Sequence, residues 1–493
     1  MDFALTLDAD AVPLHQQLYE ELRRSILTGR LLPRQKIPST RSLARSLQIS
    51  RTTVTQSYDR LLSEGYLEAI VGSGTYVCAQ LPDDLMQSTA VETEPVSTAQ
   101  PVQLSHYGTR LNQFCFIPQS NISRSKPEQT INFSYGQPAT RQFPIALWRK
   151  LLSRCCLSNS DWLDYSTDFQ GNRSLRQAIA GYLQRARAVQ CDLQQIILTN
   201  GTQQAIDLVM RLLINAGDGI AVEDPGYLSA RRVFLSHGAA LFPVPVDESG
   251  LRVEKLASSD SETLRLVYVT PSHQFPTGSI LSLARRLELL TWAQKHHWLI
   301  LEDDYDSEYR YGDRPIPALQ GLDQNHSVIY IGTFSKVLFP ALRIGYLVVP
   351  PSLVSLFTQA KWLCDRQLPS LEQQVLSEFI TGGYLESHIR KMRSHYDQLR
   401  RTLVQALKTH FGDRVIILGE KAGIHIMIRL SLPWSDAEVI ERAVQAGVGI
   451  TSAQAHYLNS SDRGEFILGY GDLDAEMIAV GIDRLAQALT NNE

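Results

Sequence analysis

The chain has 493 residues, 44% apolar and 20% charged, with a formal net charge of −4 at neutral pH. This is the balance of an ordinary soluble protein with room for about two to four domains, and it leaves any nucleic-acid surface to be a local feature. No apolar run approaches the roughly 20 residues that span a bilayer, so no membrane partner is expected.

Asp2, Asp8 and Asp10 occupy the start, without a basic segment or a small-residue cleavage pattern, so a cytoplasmic protein is expected. The six cysteines (Cys78, Cys115, Cys155, Cys156, Cys191 and Cys364) form no Cys-x-x-Cys pair. His296 and His297 are adjacent and point apart on a helix, while His273 stands alone, so no metal site is expected.

From Pro13 onward, Leu14, Leu18, Leu22 and Ile26 recur at helical spacing, and Thr28-Gly29 supplies a stop. Pro38-Ser39-Thr40 opens a second, short helix through Leu47. Ser50 caps a third, with Val54, Tyr58, Leu61 and Leu62 inward and Gly65 at its end. Helix, short helix, tight turn and helix make a helix-turn-helix. The third helix begins Ser50-Arg51-Thr52-Thr53, short hydrogen-bonding groups and a guanidinium suited to base edges and phosphates. Tyr66 to Ile70 and Thr75 to Val77, joined around Gly72-Ser73-Gly74, predict a two-stranded wing.

Between Val12 and Gln80, nine basic residues stand against five acidic ones, a net +4 inside a chain that totals −4. That asymmetry fits a phosphate-binding module; the bland alternative is a docking module whose arginines are only solvated. The arrangement Pro13-Leu14-His15-Gln16-Gln17-Leu18, Ile37-Pro38-Ser39-Thr40-Arg41, Ser50-Arg51-Thr52-Thr53-Val54 and Gly72-Ser73-Gly74-Thr75-Tyr76-Val77 closely resembles the winged helix of GntR-type regulators over residues 10–80. The resemblance implies double-stranded promoter DNA as partner, touched by Arg41, Arg51, Thr52, Thr53 and Gly74.

From 81 to 128 periodicity gives way to Ser, Thr, Gln, Glu and Pro, which predicts a flexible linker. Leu111, Phe114, Phe116 and Ile117 are expected to re-engage the domain that follows.

Residues 129–493 alternate strand-like and helical segments, the pattern of an α/β domain whose ligands sit at strand ends. Ile196 to Thr199 runs into Asn200-Gly201-Thr202 and then a helix from about Ala205 to Leu213, a turn that suits a phosphate. Ala221 to Gly226 ends at Tyr227, and Leu266 to Thr270 leads into Pro271-Ser272-His273-Gln274-Phe275-Pro276-Thr277-Gly278. Leu299-Ile300-Leu301 ends in Glu302-Asp303-Asp304-Tyr305-Asp306, carboxylates that are costly to bury unless they meet a cation, a metal or a protonated ring nitrogen. Between the apolar runs Val328 to Ile331 and Ile344 to Val349 lie Ser335, Lys336 and Arg343. A desolvated lysine loses its proton more easily and becomes a nucleophile toward aldehydes.

Pyridoxal 5'-phosphate (PLP) uses all of these groups at once, and their order resembles the fold-type-I aspartate aminotransferase family over the large domain. The resemblance implies that Lys336 forms the internal aldimine, Asp303 pairs with the ring nitrogen and Tyr305 bonds the ring hydroxyl. It further implies that Tyr227 stacks on the ring and that Gly201, Thr202, Ser335 and Arg343 hold the phosphate. Tyr165 looks like the tyrosine that reaches a neighbouring subunit's phosphate. For an effector carboxylate, Arg463 and Arg429 are the candidates. Aminotransferases of this family usually carry Asn-Pro-x-Gly where this chain has Phe275-Pro276-Thr277-Gly278. The missing Asn removes a donor to the ring hydroxyl and argues against efficient transamination.

A winged helix tethered to an aminotransferase-like domain, with His273-Gln274-Phe275-Pro276-Thr277-Gly278 and Glu302 to Glu308 in place, resembles the MocR regulators. That implies a PLP-binding homodimer assembled head-to-tail, sensing PLP or an amino-group effector at Lys336. The rival readings are an aminotransferase with an appended DNA-binding domain and a cofactor-free dimerisation scaffold.

Overall fold

In a computed structural model, residues 12–82, 102–113, 130–158, 163–258, 263–312, 316–458 and 464–490 are described. The chain divides into two compact units, Met1–Gln103 and Leu104–Glu493. No helix of the described residues is long and apolar enough to cross a membrane.

The first unit is built from α1 (Leu14–Leu27), α2 (Thr40–Leu47) and α3 (Arg51–Ser63), followed by β1 (Leu67–Ile70) and β2 (Gly74–Val77). Ser39 and Ser50 each cap a helix, accepting from the backbone N–H of Ser42 and Thr53, which satisfies donors that a helix start leaves unpaired. Leu18, Leu22, Val54 and Leu61 are 0–2% exposed at the centre. Each such side chain contributes roughly 1.5–3 kcal/mol on burial, so four of them carry much of this small core. β1 and β2 pair antiparallel, Leu67 opposite Val77, and form the wing.

The second unit starts earlier than the sequence suggests. Helix His106–Gln113 lies inside the stretch expected to be a tether, and it docks on helix Leu228–His237. Arg110 Nε donates to the Ser236 carbonyl at 2.8 Å, and the Tyr107 ring meets His237 edge-on at 5.3 Å. Composition hides this helix because none of its residues is buried; it is held by docking contacts rather than by an apolar face. Residues 83–101 and 114–128 of the expected linker lie outside the described residues, and with them Phe114, Phe116 and Ile117.

The first strand of the unit is β3 (Ile131–Asn132). Next come β4 (Ile196–Thr199), β5 (Gly219–Asp224), β6 (Ala240–Asp247), β7 (Gly250–Leu251), β8 (Leu264–Val269), β9 (Leu299–Asp304), β10 (Val328–Thr333) and β11 (Gly345–Val348). β4 to β11 form one sheet in the order β4-β11-β10-β9-β8-β5-β6-β7. β10, β9, β8, β5 and β6 run parallel, whereas β11 is antiparallel to both β10 and β4. Val222, Ile220, Leu301 and Ile331 pack one face and Val267, Val269 and Ile300 the other, so the sheet is covered on both sides as parallel sheets require.

Four further strands, β12 (Val415–Leu418), β13 (His425–Leu430), β15 (Thr451–Ser452) and β16 (Glu465–Gly469), make an antiparallel sheet in the order β12-β13-β16-β15. β3 pairs parallel with β14 (Val448–Gly449), and Gly469 N–H donates to Phe133 at 2.9 Å. This clamp fixes the segment after β3, which carries Tyr135 and Gly136 to the mouth of the large sheet.

Candidate cofactor cavity and DNA-facing surface

Tyr135, Gly136, Thr202, Tyr227, Tyr268, Phe275, Asp303, Tyr305, Ser335, Lys336, Arg343 and His425 are among the residues that line a cavity of about 320 Å³ at the carboxyl ends of the parallel strands. The period of two along β9 decides which of its carboxylates reaches this space. Glu302 and Asp304 turn the other way: Glu302 accepts the backbone N–H groups of Leu319 and Gln320 at 2.8 Å, and Asp304 accepts Arg187 Nε at 2.8 Å and the Tyr330 hydroxyl at 2.6 Å. Asp303 alone of the three lines the cavity. Its Oδ2 accepts the Tyr268 hydroxyl at 2.7 Å, while Oδ1 is buried with no hydrogen-bond partner among the described residues. Burial pushes the Asp303 carboxyl up to about 7, partly offset by that hydroxyl.

Lys336 follows β10, and its Nζ donates to the Gly136 carbonyl at 2.6 Å. Burial lowers its pKa and Arg343 adds to the effect, against the attraction of Asp306 and Asp303. Gly136 adopts φ +76°, a conformation that favours glycine, and a Cβ there would lie 2.9 Å from Nζ.

The phosphate-type corner is tighter than the sequence suggests. The helix after β4 begins at Gly201, not near Ala205, so Gly201 and Thr202 belong to its first turn. The apolar periodicity that marks a helix starts only at Ala205, which is why the boundary reads late. Arg343 donates through Nη2 to the Asn200 carbonyl at 2.9 Å, and a Cβ on Gly201 would stand 2.6 Å from that same nitrogen. A helix start and a guanidinium therefore converge on one point. Tyr227 stands at the start of helix Leu228–His237, and its ring meets Phe275 edge-on at 5.7 Å. Phe275 itself is 5% exposed and apolar where a donor would otherwise stand.

Arg429 and Tyr165 do not join this cavity. Arg429 pairs with Glu465 at 2.6 Å on the neighbouring strand β16 and does not line it, so its charge is already matched. A sequence places an arginine near a strand end but does not say that a glutamate on the adjacent strand faces it. Arg463 lies outside the described residues. Tyr165 is 81% exposed, away from the cavity of its own chain, with the Arg366 guanidinium 6.0 Å from its ring centre. Sequence reasoning missed Tyr268, Asp306 and His425, because their partners come from other strands. His273, read as solitary, has Asp306 and His425 beside it.

In the winged-helix unit, Arg41, Arg51, Thr52 and Gly74 are exposed, while Thr53 is half-buried and helps cap α3 through Ser50. Arg41 and Arg51 form no ion pair with a described residue, whereas Arg60 and Arg24 pair with Glu64 and Glu21. Gly74 adopts φ +128°, and a Cβ there would lie 2.8 Å from Lys36 Cε. Lys36 thus sits on the wing, a position that sequence reasoning counted as basic charge but did not assign.

Residues 128–481 match the family "Aminotransferase class I and II", and residues 14–77 match "Bacterial regulatory proteins, gntR family". Over 487 residues the chain is 39% identical to the probable rhizopine catabolism regulatory protein MocR of Rhizobium meliloti, covering 98% of this chain and 95% of that one. The chain belongs to the MocR-type regulators of the GntR family. The regulator is also 30% identical over 476 residues to the pyridoxine biosynthesis transcriptional regulator PdxR of Corynebacterium glutamicum, with 96% and 95% covered. Its large domain has the fold of a Pyrococcus horikoshii kynurenine aminotransferase, at TM-score 0.69 and 29% identity over 79% of this chain and 95% of that one. An archaeal alanine:glyoxylate aminotransferase superposes at TM-score 0.72 with 26% identity, covering 80% and 97%.

PLP is the cofactor of this fold family, and the regulator's cavity fits it. The unpartnered Asp303 Oδ1 suits a protonated ring nitrogen, and the amine of Lys336 suits the aldehyde. The corner lined by Thr202, Ser335 and Arg343, with Gly201 behind it against the Arg343 guanidinium, leaves room and charge for the phosphate.

Proposed function

We propose that this transcriptional regulator uses the Lys336 cavity to sense PLP or a primary amine, and that the occupied state changes how its winged helices engage promoter DNA. The observation that carries the reading is one cavity presenting Lys336 Nζ, an unpartnered Asp303 oxygen and Arg343 together. PLP supplies an aldehyde that condenses reversibly with primary amines. Lys336 offers the amine, made more nucleophilic by burial; Asp303 would hold a positive ring nitrogen, and Arg343 with the start of the Gly201 helix would hold the phosphate. Phe275, with no polar group, keeps water from that side and withholds a hydrogen bond that turnover would use. These features support sensing over sustained transamination.

A ligand acts on DNA binding only through different affinities for two states of the protein. We assign the DNA contacts to Arg41, Arg51, Thr52, Thr53 and Gly74, and a head-to-tail homodimer in which the exposed Tyr165 meets the second copy. The test is an absorbance titration with PLP, followed by operator-DNA retardation across a panel of amino compounds, in wild type and Lys336→Ala. A visible band and an amine response that both need Lys336 support the reading; an unchanged response in Lys336→Ala, or steady keto-acid production from an amino acid, defeats it.

A further inference from the structure

His273 follows β8, and Asp306 follows β9, strands that lie side by side in the sheet. Both side chains are buried, His273 2% and Asp306 1% exposed. His273 Nδ1 lies 2.8 Å from Asp306 Oδ1 and 3.1 Å from Oδ2, and the Tyr305 hydroxyl lies 3.1 Å from the same nitrogen. Gly423, at φ +75°, closes over the pair: a Cβ there would fall 2.0 Å from His273 Cε1 and 2.6 Å from Asp306 Oδ2. The other ring nitrogen, Nε2, is buried without a partner among the described residues.

One nitrogen facing a carboxylate and a phenol settles the direction of the protons. An ionised carboxylate only accepts, so Nδ1 carries the hydrogen and donates to Asp306. A nitrogen that bears its hydrogen in the ring plane cannot also accept from a phenol, so Tyr305 receives at most a share of that donor. Burial holds the phenol protonated, well above its ordinary range. Its own O–H must then point away from His273, and Tyr305 lines the cavity. Phe275, 6.1 Å from the Tyr305 ring centre, supplies no second donor there.

We propose that His273, clamped by Asp306, is a positioning residue that keeps Tyr305 a one-way hydrogen-bond donor into the cavity, toward the ring oxygen of bound PLP. This deepens the sensing function and rests on the cofactor reading above. Without the imidazole, Asp306 becomes the acceptor for the phenol, and the cavity loses its donor. The pair thus does for this regulator what an asparagine at 275 would do by direct contact.

The test is the pH midpoint of the visible band in full-length, PLP-loaded protein. A ring oxygen deprived of its donor becomes more basic, so the chromophore keeps its proton to higher pH. Asp303, Asp304 and Glu223 face Tyr305 from the strands, and Lys336, Arg343 and His425 face this cavity from other elements. All six are unchanged in the variants, so their contributions cancel in the comparison. Tyr305→Phe and His273→Leu should each raise the midpoint by about one pH unit, the scale of one hydrogen bond to a charged group. The double variant should go no further, because both changes remove the same bond. His273→Asn, whose amide can donate to Asp306 from nearly the Nδ1 position, should stay near wild type. If His273→Leu does not fold, His273→Phe tests the same point, since its ring keeps the volume, carries no nitrogen and leaves the Asp306 charge in place, and it should raise the midpoint equally.

Additive shifts, or a His273→Leu midpoint equal to wild type beside a shifted Tyr305→Phe, would overturn the proposal. So would a stoichiometric divalent metal retained by wild type and lost in His273→Leu, which would make His273, Asp306 and His425 a ligand set instead. No visible band in wild type would overturn the cofactor reading and this proposal with it, an outcome distinct from the others.

Discussion

In the winged-helix unit the polar groups assigned to recognition, Arg41, Arg51 and Thr52, stand exposed on a finished core, whereas in the large unit Asp303, Tyr305 and Lys336 are drawn into the interior. The first arrangement costs little, because an exposed arginine keeps its hydration until a phosphate replaces it. The second is expensive: burial lifts Asp303 to about 7 and lowers the Lys336 amine. A surface built to meet a polyanion can therefore be uncoupled from stability. A cavity built for a small charged molecule cannot, and substitutions should separate the two cases.

The sharpest separation is expected from Lys336→Ala. It removes the one lysine amine that lines the cavity among the described residues, so the visible band with PLP and the response to amines should vanish. DNA binding in the absence of effector should persist, because α1 to α3 and the wing contain nothing that depends on Lys336. Spectrophotometry and operator retardation on the same preparation check both halves.

Asp303→Asn should come next, and its sign reverses between the empty and the loaded protein. In the empty state the raised pKa means that the folded chain keeps a proton which the unfolded chain has shed between about pH 4 and 7. Stability from this group therefore falls as pH rises through that window and stays low above it. The amide abolishes the penalty while still accepting from Tyr268, so at pH 8 the empty large unit should gain roughly 4 kcal/mol, and the gain should shrink toward pH 5. PLP affinity should drop at least tenfold, since a neutral amide no longer balances a positive ring nitrogen. Thermal melts at the two pH values, with and without PLP, measure both effects. A stability loss at pH 8 would mean that Asp303 is ionised and well matched in the empty protein.

The same contrast explains what could be read from the sequence. Ser39 and Ser50 mark helix starts by local chemistry, and the structure places α2 and α3 directly after them. In the large unit the order Gly201, Tyr227, Asp303, Lys336, Arg343 was legible because the first four stand at or just beyond the carboxyl ends of strands that run the same way, while Arg343 precedes antiparallel β11, whose start lies at that same edge. What stayed hidden depended on pairing across the chain. Arg429 looked available until β13 was set beside β16 and Glu465, and His273 looked solitary until β8 and β9 brought Asp306 against it. Helix His106–Gln113 escaped notice because its contacts, Arg110 with Ser236 above all, lie more than a hundred residues along the chain.

Arg51→Ala tests the other side of the comparison and should have a smaller effect. One lost phosphate contact should weaken binding to specific and nonspecific DNA alike and lower the salt-dependence slope by about one. The visible band should not move. Binding isotherms at several salt concentrations give the slope; a changed specificity with an unchanged slope would place Arg51 on a base edge instead.

The smallest effect belongs to Arg110→Ala. Its Nε bond to the Ser236 carbonyl ties helix His106–Gln113 to helix Leu228–His237, whose first turn follows Tyr227 of the cavity wall. A hydrogen bond from the half-exposed Arg110 to the carbonyl of buried Ser236 is worth about 1 kcal/mol, so amide exchange across residues 106–113 should quicken about fivefold while global stability hardly changes. If PLP slows that exchange in wild type and no longer does so in Arg110→Ala, the end of the connecting segment is held by the same helix that feels the cofactor. Occupancy of the cavity then has a physical route out of it, through Tyr227 and its helix to the chain that leads back to the winged helix. Exchange that ignores PLP in both proteins would close that route and leave the signal to the large unit's own closure.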